Sequence, residues 1–121
     1  MNHFFEKEID RIIESVPDKE ITPELSSVIY CLGRDVDNEE EYDYAFCKLV
    51  KLFERENETV KAQVIQAFSM LAVLKSDIKI LERTIVEPLI LSTYSVSDER
   101  NKAIIQDAID DINYSLEWNM Q

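Results

Sequence analysis

The segment DVDNEEEYD, residues 35–43, holds six carboxylate side chains and no cation, so it could bind a metal ion or a basic partner. A calcium loop of the EF-hand type takes ligands from alternate positions, which Asp35, Asp37 and Glu39 would supply. That loop also needs glycine at its sixth position and a bidentate acid at its twelfth. Here the sixth position is Glu40 and the twelfth is a phenylalanine. We therefore expect the segment to hold no metal ion, and we expect the chain to use no cofactor.

The residues that usually carry catalysis are scarce. His3 is the only histidine, which removes the usual general base and most transition-metal ligand sets. A single glycine cannot build a phosphate-binding loop, and the serines lack the setting of an activated nucleophile. Cys31 and Cys47 lie among apolar residues without zinc-ligand spacing, which favours free thiols in a reducing compartment. The many carboxylate pairs are typical of solvated helix faces. We expect that the protein is not an enzyme.

The net charge of the chain indicates which classes of partner it could bind. The 25 acidic and 13 basic side chains give a formal net charge of −12. Direct binding to nucleic acid or to an anionic membrane depends on lysine and arginine, so we expect neither. The acidity favours a basic protein partner, or it serves solubility alone. The apolar runs are far shorter than the ~20 residues of a membrane span, and the N-terminus lacks the pattern of a signal peptide. We therefore expect a soluble cytoplasmic protein.

Apolar residues recur at helical spacing along almost the whole chain, which predicts an all-α fold of about six helices. Thr22 followed by Pro23 predicts the start of the second helix, and Gly33 predicts its end as a C-terminal glycine. Pro88 should kink the fifth helix or restart it near Glu87. Further helices are expected from about Asn38 to Arg55, from about Thr59 to Leu74, after an N-cap at Asp77, and after Ser97 or Asp98.

An internal repeat indicates how these helices pair. VKAQVIQAFSML (60–71) overlays NKAIIQDAIDDI (101–112) at an offset of 41, and residues 28–33 form a fainter copy at an offset of 36. Repeats of ~40 residues built from two helices are typical of α-solenoids. The fourth helix is apolar on more than one face, which predicts a buried central helix.

A family resemblance follows from these segments. LVKLFERENETVKAQVIQAFSML (49–71) resembles a HEAT repeat: an apolar helix, a short polar turn, then Val-Lys and regularly spaced small and large apolar residues. Pro88 stands where such repeats often carry a proline. The resemblance implies a protein-binding scaffold in which three antiparallel helix pairs stack as a short α-solenoid within a single domain, 1–121. The pairs would cover approximately 3–34, 38–74 and 77–115.

Two acidic regions could bind a partner. Residues 35–58 hold nine acids and three bases, and residues 98–117 hold six acids and two bases. Carboxylates beside tyrosine and tryptophan suit an interface with a basic protein, because charges steer encounter and aromatics act as anchors. The candidate partner-binding residues are Asp35, Asp37, Glu39, Glu40, Tyr42, Asp43 and Tyr44 in the first region and Asp107, Asp110, Asp111, Tyr114, Glu117 and Trp118 in the second. A solvated charged face with the aromatics in the core is the alternative. An interface in the first region should leave Tyr42 or Tyr44 exposed.

Two functions therefore remain open. The chain is similar in size and charge to bacterial immunity proteins, which implies an inhibitor that covers the phosphate-binding surface of a basic nuclease toxin. The resemblance to HEAT repeats implies instead a small adaptor or assembly scaffold, which could form a homodimer through an uncapped end. A HEAT-like DNA glycosylase needs a basic groove, and the charge of this chain opposes that function.

Overall fold

The computed structural model describes residues 6–121, and the described residues form six α-helices and no strand. The helices are α1 (Glu6–Ser15), α2 (Pro23–Arg34), α3 (Glu39–Leu52), α4 (Glu58–Leu74), α5 (Arg83–Val96) and α6 (Glu99–Leu116). The prediction of an all-α fold with about six helices is confirmed. His3 lies outside the described residues.

Four helices begin at a polar residue that satisfies their free backbone N–H groups. In each case the side-chain oxygen accepts the N–H three residues later, at Thr22, Asn38, Asn57 and Asp98, over 2.8–3.1 Å. Such caps satisfy donors that have no partner within the helix. The cap predicted at Thr22 is confirmed, and Pro23 occupies the first turn of α2 as expected. Of the predicted alternatives Asp37 or Asn38 and Ser97 or Asp98, the caps are Asn38 and Asp98.

The start of α5 differs from the prediction. Asp77 is not an N-cap, because the chain turns after α4 and continues without helix until Glu82, whose side chain makes no cap hydrogen bond. Leu81 within this connection is buried, so packing against the core determines the conformation of this segment. A local capping pattern cannot predict such packing. Pro88 lies inside α5 and does not restart it, so that alternative is wrong. Proline has no backbone N–H, so the carbonyl of Thr84, four residues before Pro88, has no helical hydrogen-bond donor. Thr84 is exposed to water.

Gly33 has a different role from the predicted one. It lies within α2, which ends at Arg34, and its backbone does not adopt a positive φ. A Cβ atom at this position would lie 3.0 Å from both Cα and the carbonyl oxygen of Ala67 in α4. Glycine therefore suits this position because two helix backbones approach closely, and the prediction that Gly33 ends the helix as a C-terminal glycine is wrong.

Helix α4 forms the centre of the packing. It contacts α2, α3, α5 and α6, and its buried side chains point to several sides, which confirms the prediction of a buried central helix. Helices α1, α3 and α5 pack on α2, α4 and α6 respectively. This order of contacts is compatible with three helix pairs, and the stacking of those pairs as a solenoid stays a prediction. No helix among residues 6–121 combines the length and apolar character needed to cross a bilayer.

Candidate interaction surface

The acids between α2 and α3 form a surface that we call the joint patch: Asp35, Asp37, Glu39, Glu40 and Asp43. Cations of the chain itself bind several of them. Arg34 pairs with Asp35 at 2.6 Å, and Lys79 pairs with Asp43 at 2.6 Å and lies 3.9 Å from Glu39. The hydrogen bond from Lys79 to Asp43 raises the pKa of the lysine. Much of the charge of the joint patch is therefore compensated within the fold.

Part of this acidic segment has a structural purpose that the predicted site did not include. Asn38 accepts the N–H of Glu41 at 2.9 Å, and the Glu41 carboxylate accepts the N–H of Asp37 at 2.8 Å. This arrangement resembles a capping box, except that the carboxylate accepts the N–H of the residue before the cap, and it satisfies donors on both sides of the helix start. Glu41 is buried as a result. The Asn-x-x-Glu spacing is the signal in the sequence that could have identified it.

The two tyrosines of the first region are not exposed anchors. Tyr42 is 2% exposed, and its hydroxyl has no hydrogen-bond partner among the described residues. Burial raises its pKa to about 12. Tyr44 is half-buried and donates a hydrogen bond to Asp10 at 2.8 Å. Burial and this bond raise its pKa. An interface in the first region should leave one of them exposed, and neither is, because Tyr42 belongs to the core stripe of α3 and Tyr44 joins α3 to α1.

The second region presents a different surface on α6, which we call the α6 patch: Asp107, Asp110, Asp111 and Tyr114. All four side chains are exposed, and Tyr114 is 89% exposed. Their spacing places them on one face of the helix. The three carboxylates have no basic group within ion-pair distance among residues 6–121, although Asp110 accepts a hydrogen bond from the Gln106 amide at 2.9 Å. The charge of the α6 patch is therefore uncompensated.

Glu117 and Trp118 belong to the C-terminal tail and not to the α6 patch. Glu117 ends α6 in a left-handed conformation, with φ of 57°. Trp118 is half-buried beneath Arg83 of α5, whose guanidinium carbon lies 5.2 Å from the ring centroid. The Asn113 side chain then makes two hydrogen bonds to the backbone of Met120, at 2.9 and 3.0 Å. The expectation that Trp118 continues the α6 surface is wrong, because the tail folds back and packs against α5.

Exposed apolar residues of α4 lie beside the α6 patch, and the sequence had not singled them out as surface. Val73 is 45% exposed and Leu74 is 53% exposed, although the helical pattern placed Leu74 in the core. They line the α4–α6 groove, which has a volume of about 220 Å³ and is formed by Ser69, Met70, Val73, Leu74 and Asp111. The end of a helix leaves its last turn with fewer neighbours, which a periodic pattern cannot reveal.

Two of the further grooves border α2. One lies between α2 and α4, has a volume of about 180 Å³ and shares Met70 with the α4–α6 groove. Tyr30, 48% exposed, borders it. The other lies between α1 and α2, has a volume of about 260 Å³ and includes Ile12, Val28 and Cys31. The grooves beside α4 therefore form one continuous surface across the second helix of each predicted pair.

The described residues contain no cluster of three or more histidine, cysteine or acidic side chains arranged to hold a metal ion. Cys31 and Cys47 are free, and burial raises the pKa of Cys31. Comparison of the chain with known protein families, with characterised proteins and with solved structures finds no match. The HEAT-like resemblance and the similarity to immunity proteins therefore stay predictions.

Proposed function

We propose that this chain is a protein-binding module that neutralises a basic protein, in the most specific form a nuclease toxin, by covering its phosphate-binding surface. The observation that carries the proposal is the α6 patch. Asp107, Asp110 and Asp111 share an exposed helix face with Tyr114, which is 89% exposed, and no cation of residues 6–121 lies within ion-pair distance of them. The proposal includes no catalytic step by this chain, no cofactor and no direct contact with nucleic acid or membrane.

The physical basis is electrostatic complementarity. A nuclease binds its substrate through lysine and arginine side chains that contact phosphate oxygens. An inhibitor with a net charge of −12 is attracted to that surface over long range, and this increases the association rate at low salt. Tyr114 would then supply buried contact area at the centre of the interface. The α6 patch is favoured over the joint patch because Arg34 and Lys79 already bind acids of the joint patch.

The test begins with recovery of the partner by pull-down from the native host, followed by measurement of its association rate at several salt concentrations. Charge reversal of Asp110 and Asp111 to lysine should slow association by about tenfold or more. The same reversal of Glu39 and Glu40 is the matched control, since it changes the net charge equally, and it should have a smaller effect. Equal effects of the two pairs, or no effect of either, would contradict the proposal.

An adaptor or assembly scaffold is the second candidate, and the groove between α1 and α2 favours it. This groove exposes apolar side chains at one end of the chain of helices, where a second copy could pack. Such a protein would form a homodimer or recover several partners in the same pull-down. A salt-sensitive 1:1 complex with one basic protein would instead support the inhibitor.

A further inference from the structure

We propose that the α4–α6 groove is the docking site and that its occupant is an amphipathic helix of the partner, with apolar residues on one face flanked by lysine or arginine. This inference rests on the proposed function and adds where the partner docks and what chemistry its contact segment has. It assigns a role to Val73 and Leu74, which lie on the surface of the helix that is otherwise the most buried in the fold.

The apolar part of the inference comes from the groove walls. Met70, Val73 and Leu74 offer an apolar strip along the last two turns of α4. Two large apolar residues in succession, each about half exposed, lose favourable burial that a partner side chain could supply. A leucine, methionine or phenylalanine is the size of side chain that a groove of about 220 Å³ accommodates. We therefore expect the partner to place an apolar side chain on this strip.

The charge of the opposite wall defines the rest of the occupant. Asp111 lines the groove itself, and Asp107 and Asp110 stand on the same exposed side of α6. Asp107 precedes Asp110 by three residues and Asp111 by four, the intervals at which basic side chains recur along one side of a helix. A helix laid in the groove would place its anchors on α4 and its cations on α6, which is the helix-in-groove mode of recognition.

The two grooves that border α2 match this occupant less well. The groove between α1 and α2 is lined by Glu8 and Glu24, but Arg11 binds the Glu8 carboxylate and also interacts electrostatically with Glu24. The groove between α2 and α4 is lined by amides and a hydroxyl, with Tyr30 and Met70, and contains no carboxylate. Of these three grooves, the α4–α6 groove is the one that joins an apolar strip to the three carboxylates of the α6 patch.

Two synthetic peptides of about 18 residues, about five helical turns, test the inference. One carries leucine and lysine on adjacent faces, and the other has glutamine in place of each leucine, which keeps the charge and the helix propensity. Fluorescence anisotropy of labelled peptide gives the two dissociation constants with the full chain. The leucine peptide should bind about tenfold more tightly, the ratio expected when one leucine side chain is buried.

The variants separate the groove from the charge. Val73→Ser with Leu74→Ser should bring the ratio of the two affinities close to one, whereas Val96→Ser, which removes an exposed apolar side chain outside the groove, should leave it unchanged. Asp110→Asn with Asp111→Asn should weaken both peptides to a similar degree. Circular dichroism verifies that each variant remains folded.

Each failure has its own signature. Equal binding of the two peptides by the parent chain, or a ratio that survives the double serine variant, would overturn the groove and leave the acidic surface standing. Unchanged binding of both peptides after the asparagine substitutions would overturn the acidic surface of the proposed function. Absence of binding by either peptide would refute the docking of a basic amphipathic helix.

Discussion

Replacing Gly33 by alanine tests the close contact that positions α2 against α4. In an exposed helix this substitution stabilises the protein by about 1 kcal/mol, because alanine has the higher helix propensity. Here the new methyl group would lie 3.0 Å from Cα and the carbonyl oxygen of Ala67. Ala67 is completely buried in the central helix, so its backbone cannot move without disturbing the packing of α4.

The magnitude follows from two opposing contributions. Overpacking of a well-packed core costs about 1–3 kcal/mol, and the contact with backbone atoms places this site toward the upper part of that range. Subtraction of the propensity gain of about 1 kcal/mol leaves a net destabilisation of about 1–2 kcal/mol. For a domain of this size the midpoint of thermal unfolding should fall by about 4–8 °C.

Urea denaturation followed by far-UV circular dichroism measures the difference in unfolding free energy. Ala103→Gly in α6 is the control, because Ala103 is exposed in a helix interior and reports the propensity contribution alone. That variant should lose about 1 kcal/mol. If Gly33→Ala instead gains the amount that the control loses, the close approach of α2 and α4 is wrong.

Three further substitutions test other contacts of the fold. Asn38→Ala should cost about 1 kcal/mol of unfolding free energy in urea, because it removes the cap of α3; an unchanged midpoint would contradict the cap. The hydrogen bond from Lys48 lowers the pKa of the Asp10 carboxyl from its usual 3.8. The pair therefore stabilises the folded protein fully above pH 3.8, and this stabilisation is lost as the pH falls through the lowered pKa. Asp10→Asn should therefore destabilise the protein at pH 7 and match the parent in strong acid, where a persistent difference would count against the pair. Arg83→Ala should shift the emission of Trp118, the single tryptophan, to longer wavelength as the ring becomes hydrated, and an unchanged spectrum would refute the packing of the tail.

Features decided within one helical turn could be predicted from the sequence. The caps at Thr22, Asn38 and Asp98 are examples, since each needs only a polar side chain three residues before a free N–H. Gly33 was misassigned because the same residue type serves both a left-handed helix end and a close helix contact. Asp77 was misassigned because a residue that favours caps also favours turns.

In the candidate site, too, features set by neighbouring residues in the sequence could be predicted, and features set by distant residues could not. Tyr42 fits the apolar stripe of its own helix, so the sequence spacing predicts its burial. The compensation of Asp43 was not readable, because Lys79 comes from a connection 36 residues later. Leu74 matches the apolar period of α4 but lies where neighbouring helices no longer cover it, and only the packing of the whole chain reveals this.

The chain has a net charge of −12, and its lysine and arginine side chains neutralise some acidic regions more than others. The positions of these cations explain where unneutralised carboxylates remain. Arg55 donates hydrogen bonds of 2.6 Å to the carbonyls of Ile13 and Val16 at the end of α1, where a helix leaves acceptors without partners. Lys79 likewise joins the connection before α5 to α3. Arg55 thus joins the second predicted pair to the first, and Lys79 joins the third predicted pair to the second. Among the helices of residues 6–121, α6 packs only on α4 and α5, so none of the others could supply a compensating cation to its outer face. Acids on this face add charge without breaking an internal ion pair, which leaves them available to a basic partner.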